Sequence, residues 1–205
     1  MLSLELEKVE KWFGNRKVLE KINLKLENPS SLAIIGPNGS GKTTLLKIIC
    51  GLIRPTSGKV YLKWGGKEVP KENKKNFFSL VAPDLELYGE LTALENLKFF
   101  SCLKDQENSK QDLIKKTEQV GLKGRENDLV SSYSSGMKQR LKYALATVGS
   151  PKIVLLDEPS SNLDQEGVFL MEKIMENQKK EGILILATND LKETKYAQKT
   201  FKLGN

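Results

Sequence analysis

The sequence predicts an α/β protein with a mainly parallel core sheet and an antiparallel β portion at its N-terminal end. Three short apolar runs carry the first expectation: Ser31-Leu32-Ala33-Ile34-Ile35, Ile153-Val154-Leu155-Leu156 and Ile183-Leu184-Ile185-Leu186. Each suits a strand buried on both faces, and stretches of helical periodicity separate them, as crossovers between parallel strands require. The second expectation rests on alternation: Leu2, Leu4 and Leu6, then Ile22, Leu24 and Leu26, which fits strands with one solvated face.

Between Leu91 and Val148 the pattern turns helical, with Leu113, Ile114 and Val120 in one segment and Leu141, Ala144, Leu145 and Val148 at i, i+3, i+4, i+7 in another. This predicts a helical lobe over residues 84–150, inserted in one domain that covers 1–205. The lysine-rich stretch Lys67 to Asn76 is expected to be a solvated loop.

Composition narrows the function. With 39% hydrophobic and 29% charged residues the chain resembles a globular protein, and no apolar run approaches the roughly 18 residues of a membrane span. The charged start, Met1-Leu2-Ser3-Leu4-Glu5-Leu6-Glu7, does not fit a secretory leader, so a cytoplasmic location is expected, with membrane contact only through a partner. Cys50 and Cys102 lack the close spacing of a zinc or redox motif and are expected to be buried free thiols. The net charge of +7 is spread along the chain with no dense basic arm, which argues against a nucleic-acid partner. The absence of histidine excludes Ser-His-Asp chemistry and histidine-ligated zinc; carboxylates, lysines and a metal must do any chemistry.

Gly36-Pro37-Asn38-Gly39-Ser40-Gly41-Lys42-Thr43 fits G-x-x-x-x-G-K-[ST] in full, between an apolar strand and an apolar helix opening at Thr44. Glycines let successive backbone N–H groups turn inward around phosphates, and the helix N-terminus adds positive potential. The pattern points to ATP, with Lys42 bridging the β- and γ-phosphates, Thr43 ligating Mg²⁺ and Thr44 donating near the α-phosphate. Asp157 and Glu158 stand at the tip of a buried strand, the end where open α/β sheets bind ligands. Carboxylates there are poorly solvated unless a cation compensates, so Asp157 is assigned to Mg²⁺ and Glu158 to the water attacking the γ-phosphate.

Tyr133-Ser134-Ser135-Gly136-Met137-Lys138-Gln139-Arg140, shortly before the acidic strand, resembles the LSGGQ-type signature of ATP-binding cassette (ABC) ATPases. As residues alone, the same segment reads first as a plain helix capped by Ser134 or Ser135, which needs no ligand. The resemblance implies a P-loop NTPase of ABC type in which Ser134, Ser135 and Gly136 face the ATP of an opposite subunit, so that two ATP molecules are sandwiched in a dimer, expected to be of identical chains. It extends over nearly the whole chain. Ser160-Ser161-Asn162-Leu163-Asp164 looks like the D-loop that crosses the dimer interface, which implies an opposite-subunit contact by Asp164. Phe13 before Gly14 resembles the aromatic that stacks on adenine, although a Phe there also suits a core. Leu87-Tyr88-Gly89-Glu90-Leu91-Thr92-Ala93-Leu94-Glu95-Asn96-Leu97 is similar to the stretch that receives the membrane subunit, or packs within the lobe.

Two positions depart from the family pattern. Pro83, followed by Asp84, stands where a glutamine usually contacts Mg²⁺ and water, and Asn189 replaces the switch histidine. An asparagine amide still donates a hydrogen bond but carries no charge, and loss of one such donor typically costs about 10²–10³ in rate, so slow hydrolysis with intact ATP binding is expected. The implied function is the ATP-hydrolysing subunit of a transporter with a separate membrane-spanning subunit. The alternatives are a soluble ABC ATPase acting on nucleic acid or the ribosome, and an ATP-gated dimerisation module.

Overall fold

The computed structural model describes residues 1–105 and 107–204; Gln106, inside the expected lobe, and Asn205, at the end of the expected domain, lie outside the described residues. The chain begins with β1 (Leu2–Phe13), β2 (Arg16–Glu27), β3 (Ser30–Ile35), α1 (Lys42–Ile49), β4 (Ser57–Trp64), β5 (Lys67–Glu68) and β6 (Phe78–Val81). Three helices follow, α2 (Ala93–Leu103), α3 (Lys110–Gln119) and α4 (Ser135–Ala146). It then returns through β7 (Ile153–Asp157), α5 (Gln165–Glu181), β8 (Ile183–Thr188) and β9 (Lys199–Lys202).

The antiparallel sheet has the order β2-β1-β4-β5, and the alternation at its start is realised: Leu2, Leu4, Leu6 and Leu26 are buried. The second sheet, β6-β7-β8-β3-β9, is parallel throughout. Its strands are apolar on both sides because each face enters a different core. On β7, Ile153 and Leu155 pack with α1 and the antiparallel sheet, whereas Val154 and Leu156 pack against the helices on the other side. This is the continuous apolar run expected of doubly covered parallel strands. Because all five strands point the same way, the chain leaves β3, β6, β7 and β8 at one edge, where Gly36, Pro83, Glu158 and Asn189 follow.

Two expectations change, and two strands enter that the sequence reading did not cover. β6 and β9 join the sheet without an apolar run to announce them: β6 is four residues long and includes Ser79, and β9, Lys199–Lys202, is a largely exposed edge strand. Lys67 to Asn76 is not simply a loop, since it holds β5 and a 3₁₀ turn over Lys71–Asn76. Cys102 is exposed and Cys50 only partly buried. The inward face of α2 is Ala93, Asn96, Leu97 and Ser101, and one further residue turns Cys102 outward by about 100°. No helix among the described residues is long and apolar enough to cross a membrane.

The helices between β6 and β7 pack on a core that includes Leu97, Leu113, Val120, Leu141 and Val148. A capping box starts α2: Glu95 N–H donates to Thr92 Oγ1 at 3.2 Å, and Thr92 N–H donates to Glu95 Oε2 at 2.8 Å. Within the stretch Leu87 to Leu97, Ala93 and Leu97 are buried in the lobe while Tyr88 is exposed against Phe99, ring centroids 5.0 Å apart.

Candidate nucleotide site

The phosphate loop turns because its glycines allow backbone positions other residues resist. Gly39 has φ 79° and Gly41, which caps α1, has φ 98°. Gly36 serves close approach instead: a Cβ there would come within 2.4 Å of the Leu203 carbonyl oxygen. Lys42 opens α1, so the unpaired N–H groups of the first helical turn are offered at the loop.

The Lys42 side chain is 6% exposed and lies back along the loop, its Nζ donating to Gly36 O at 2.8 Å and Pro37 O at 3.2 Å. It also stands 3.7 Å from Glu158 Oε1. Thr43 Oγ1 donates to Asp157 Oδ2 at 2.5 Å across 114 residues of sequence, so the loop and the acidic strand end meet. Burial pushes both carboxyls, Asp157 and Glu158, above the usual carboxylate range; the Thr43 hydroxyl opposes the shift at Asp157, and the Lys42 charge opposes it at Glu158. Desolvation thus exceeds the help that protein groups supply.

A cleft of about 430 Å³ follows this junction. Its walls are Asn38, Gly39, Gly41, Lys42, Thr43 and Thr44 on the loop side, Asp157 and Glu158 at the strand end, and Arg16, Val18 and Pro83 opposite. Arg16 and Val18 were not singled out by any motif; they reach the cleft because β2 starts beside the phosphate loop, a proximity without local signal. Asn189 lies at the rim, its Nδ2 donating to Asn38 Oδ1 at 3.0 Å. Pro83 offers only backbone here, its carbonyl accepting from Lys142 Nζ at 3.3 Å, while Asp84 pairs with Lys47.

Phe13 is 49% exposed at the end of β1, under Lys11 Nζ at 4.8 Å, and is not part of the cleft wall. Ser134 is the cap of α4, its Oγ accepting from Met137 N at 3.2 Å; Ser135 and Gly136 form the first turn. None of the three lines the phosphate-loop cleft. Asp164 caps α5 by accepting from Gly167 N at 2.8 Å, and its two oxygens take Arg140 Nη2 at 2.7 and 2.8 Å. Its carboxylate is therefore engaged within the chain, and Arg140 holds it below the usual carboxylate range.

Residues 19–161 match the family model described as ABC transporter. A lantibiotic transport ATP-binding protein of Streptococcus pyogenes is 32% identical over 92% of this chain and 80% of its own length. An uncharacterised ABC transporter ATP-binding protein of Methanocaldococcus jannaschii is 34% identical over 98% of this chain and 95% of its own. Among solved structures, an ATP-binding subunit of an ABC transporter superposes with a TM-score of 0.86 at 26% identity, covering 98% of this chain and 85% of that one. On these matches, and with its phosphate loop and acidic strand meeting at one sheet edge, the chain belongs to the ABC transporter family as an ATP-binding, ATP-hydrolysing subunit.

Proposed function

We propose that this chain is a single ABC domain that binds Mg²⁺-ATP in the cleft at the phosphate loop, closes on a second, identical ABC subunit, and so drives a separate membrane-spanning subunit. It would work from the cytoplasmic face of the membrane, attached through that partner. The observation that carries the reading is the 2.5 Å contact between Thr43 Oγ1 and Asp157 Oδ2 beside Lys42 and Glu158.

The donor set fits Mg²⁺. Thr43 and Asp157 supply two hard oxygen donors at a place where burial already disfavours an unpaired carboxylate. Among the described residues no cluster of three or more acidic or cysteine side chains could hold a metal, which suits an ion completed by phosphate oxygens and water. The ion, when bound, would neutralise charge on the phosphates. Backbone N–H groups of Gly39 to Thr44 receive the phosphates, and Lys42 gives up its two carbonyl contacts to reach the outer ones. Glu158, 3.7 Å from Lys42 Nζ at the end of the strand that carries Asp157, accepts the proton of, or orients, the attacking water. Asn189 donates its amide to the terminal phosphate, and Phe13 serves the adenine. Ser134, Ser135 and Gly136 do not line their own phosphate-loop cleft, which leaves them for the partner's ATP, and Asp164, held by Arg140 of the same helix, would contact the partner beside them.

Pro83 and Asn189 favour a second reading, an ATP-gated dimerisation module with weak turnover. ATP-dependent dimerisation measured beside single-turnover hydrolysis separates the two. The first reading expects a slow but Mg²⁺-dependent rate, abolished by EDTA, and co-purification with a multi-span protein from membranes. Turnover at tens per second would refute the slow-hydrolysis expectation, and recovery with ribosomes or DNA instead would refute the transport role.

A further inference from the structure

Glu193 has no part in the chemistry above. It is 5% exposed, in the 3₁₀ turn Leu191–Tyr196 that begins just after Asn189. Its Oε1 accepts two hydrogen bonds from Ser160, from the backbone N–H at 3.1 Å and from the hydroxyl. Its Oε2 is buried and unpartnered among the described residues. A buried oxygen without a partner is costly, and the contacts to Ser160 hold the side chain in place against that cost.

Ser160 lies two residues beyond Glu158, and Glu158 has a left-handed backbone, φ 49°. A residue with a Cβ occupies that region at a cost and stays there only when its surroundings over-determine it. Three contacts do so here. Glu158 N–H donates to Ala187 O at 2.8 Å, the Pro159 carbonyl accepts from the buried Tyr143 hydroxyl, and Ser160 is held by Glu193.

The same turn is braced against Thr188 and Asp190, the residues on either side of Asn189. Glu193 N–H donates to Asp190 O at 3.1 Å, Asp190 Oδ1 accepts from Lys192 N at 2.8 Å, and Asp190 N–H donates to Thr188 Oγ1 at 2.9 Å. Glu193 thus joins two segments that leave adjacent strands, one carrying Glu158 and one carrying Asn189.

We infer that Glu193 is a positioning residue for ATP hydrolysis: by accepting from Ser160 it fixes the spacing between Glu158 and Asn189 across the terminal phosphate. The inference rests on the hydrolytic reading above. What it requires of residue 193 is an acceptor oxygen at this place, which glutamine also provides and alanine does not.

The test uses the full chain and compares wild type with Glu193→Ala, Glu193→Gln and Ser160→Ala, reading nucleotide Kd, ATP-dependent dimerisation and the single-turnover rate. Glu193→Ala is expected to lower the rate by about 10²-fold, as a misplacement on the ångström scale does, with Kd and dimerisation unchanged. Glu193→Gln should recover most of the rate, and Ser160→Ala, which keeps the backbone donor, should lose only a several-fold share. A purely structural role would instead move Kd and dimerisation together with the rate. Wild-type rate in Glu193→Ala, or equal damage in Glu193→Gln, overturns the inference alone; failure of the wild-type chain to bind ATP overturns the hydrolytic reading and this inference with it. Should Glu193→Ala not fold, Ser160→Ala decides, and an unaltered rate there refutes the link.

Discussion

Two lysines converge on the C-terminal end of α4, the helix whose N-terminus carries Ser134. Lys104 Nζ donates to Val148 O at 3.2 Å, and Lys116 Nζ donates to Thr147 O at 2.7 Å. The helix dipole favours positive charge there, yet burial and the Lys116 charge bring the Lys104 ammonium down from 10.5 to about 8, so desolvation wins. A folded-state pKa below the unfolded one means that the unfolded chain binds the extra proton between these values. Stability must therefore rise as pH climbs through that window. With 10.5 unfolded and about 8 folded, linkage gives roughly 2 kcal/mol of added stability between about pH 7.5 and pH 9.5. Lys104→Met keeps the unbranched apolar stem and removes the titrating group. Urea unfolding of both chains at the two pH values isolates Lys104 together with its coupling to Lys116, because the shifts at groups remote from it are common to both. The wild type should gain about 2 kcal/mol more than the variant over this interval. Equal gains would refute the claim that Lys104 is desolvated at the end of α4.

Three further outcomes follow from the nucleotide site. Glu158→Gln removes the proposed proton acceptor while keeping shape, and should lower single-turnover hydrolysis by about 10²–10⁴ with nucleotide Kd unchanged; weakened binding instead would point to a ligand role. Asn189→Asp places a negative charge beside Asn38 and should reduce the rate below the wild-type level by like-charge repulsion, visible as slower phosphate release at saturating ATP. Gly36→Ala would bring a Cβ to 2.4 Å from the Leu203 carbonyl oxygen and 2.7 Å from Ser40 Oγ. Overpacking of this kind costs about 1–3 kcal/mol, so thermal unfolding should start several degrees lower and ATP affinity should fall together with it.

By itself the sequence determined the class of fold and the phosphate loop. The loop is legible because its work is done by contiguous backbone: the residues that bend it, Gly39 and Gly41, lie beside the one that opens the helix, Lys42. The central strands β3, β7 and β8 are legible because burial on both faces demands unbroken apolar runs. The edge strand β9 is not, since exposure removes that demand, and four residues such as Lys199–Lys202 pair only because β3 is there to receive them. Cys102 shows the same limit, for which side of α2 faces inward is a matter of packing. At the site, Asp157 and Glu158 could be read as a carboxylate pair, but the meeting of Asp157 with Thr43 across 114 residues depends on both leaving the same edge of the sheet. Tertiary structure alone decided that Arg16 and Val18 face the phosphate loop, that the Asp164 carboxylate is held by Arg140, and that Glu193 reaches Ser160. The physical reason is common to all three: a side chain meets a partner far along the chain only after sheet order has set the distance, and no local pattern of residue types records it.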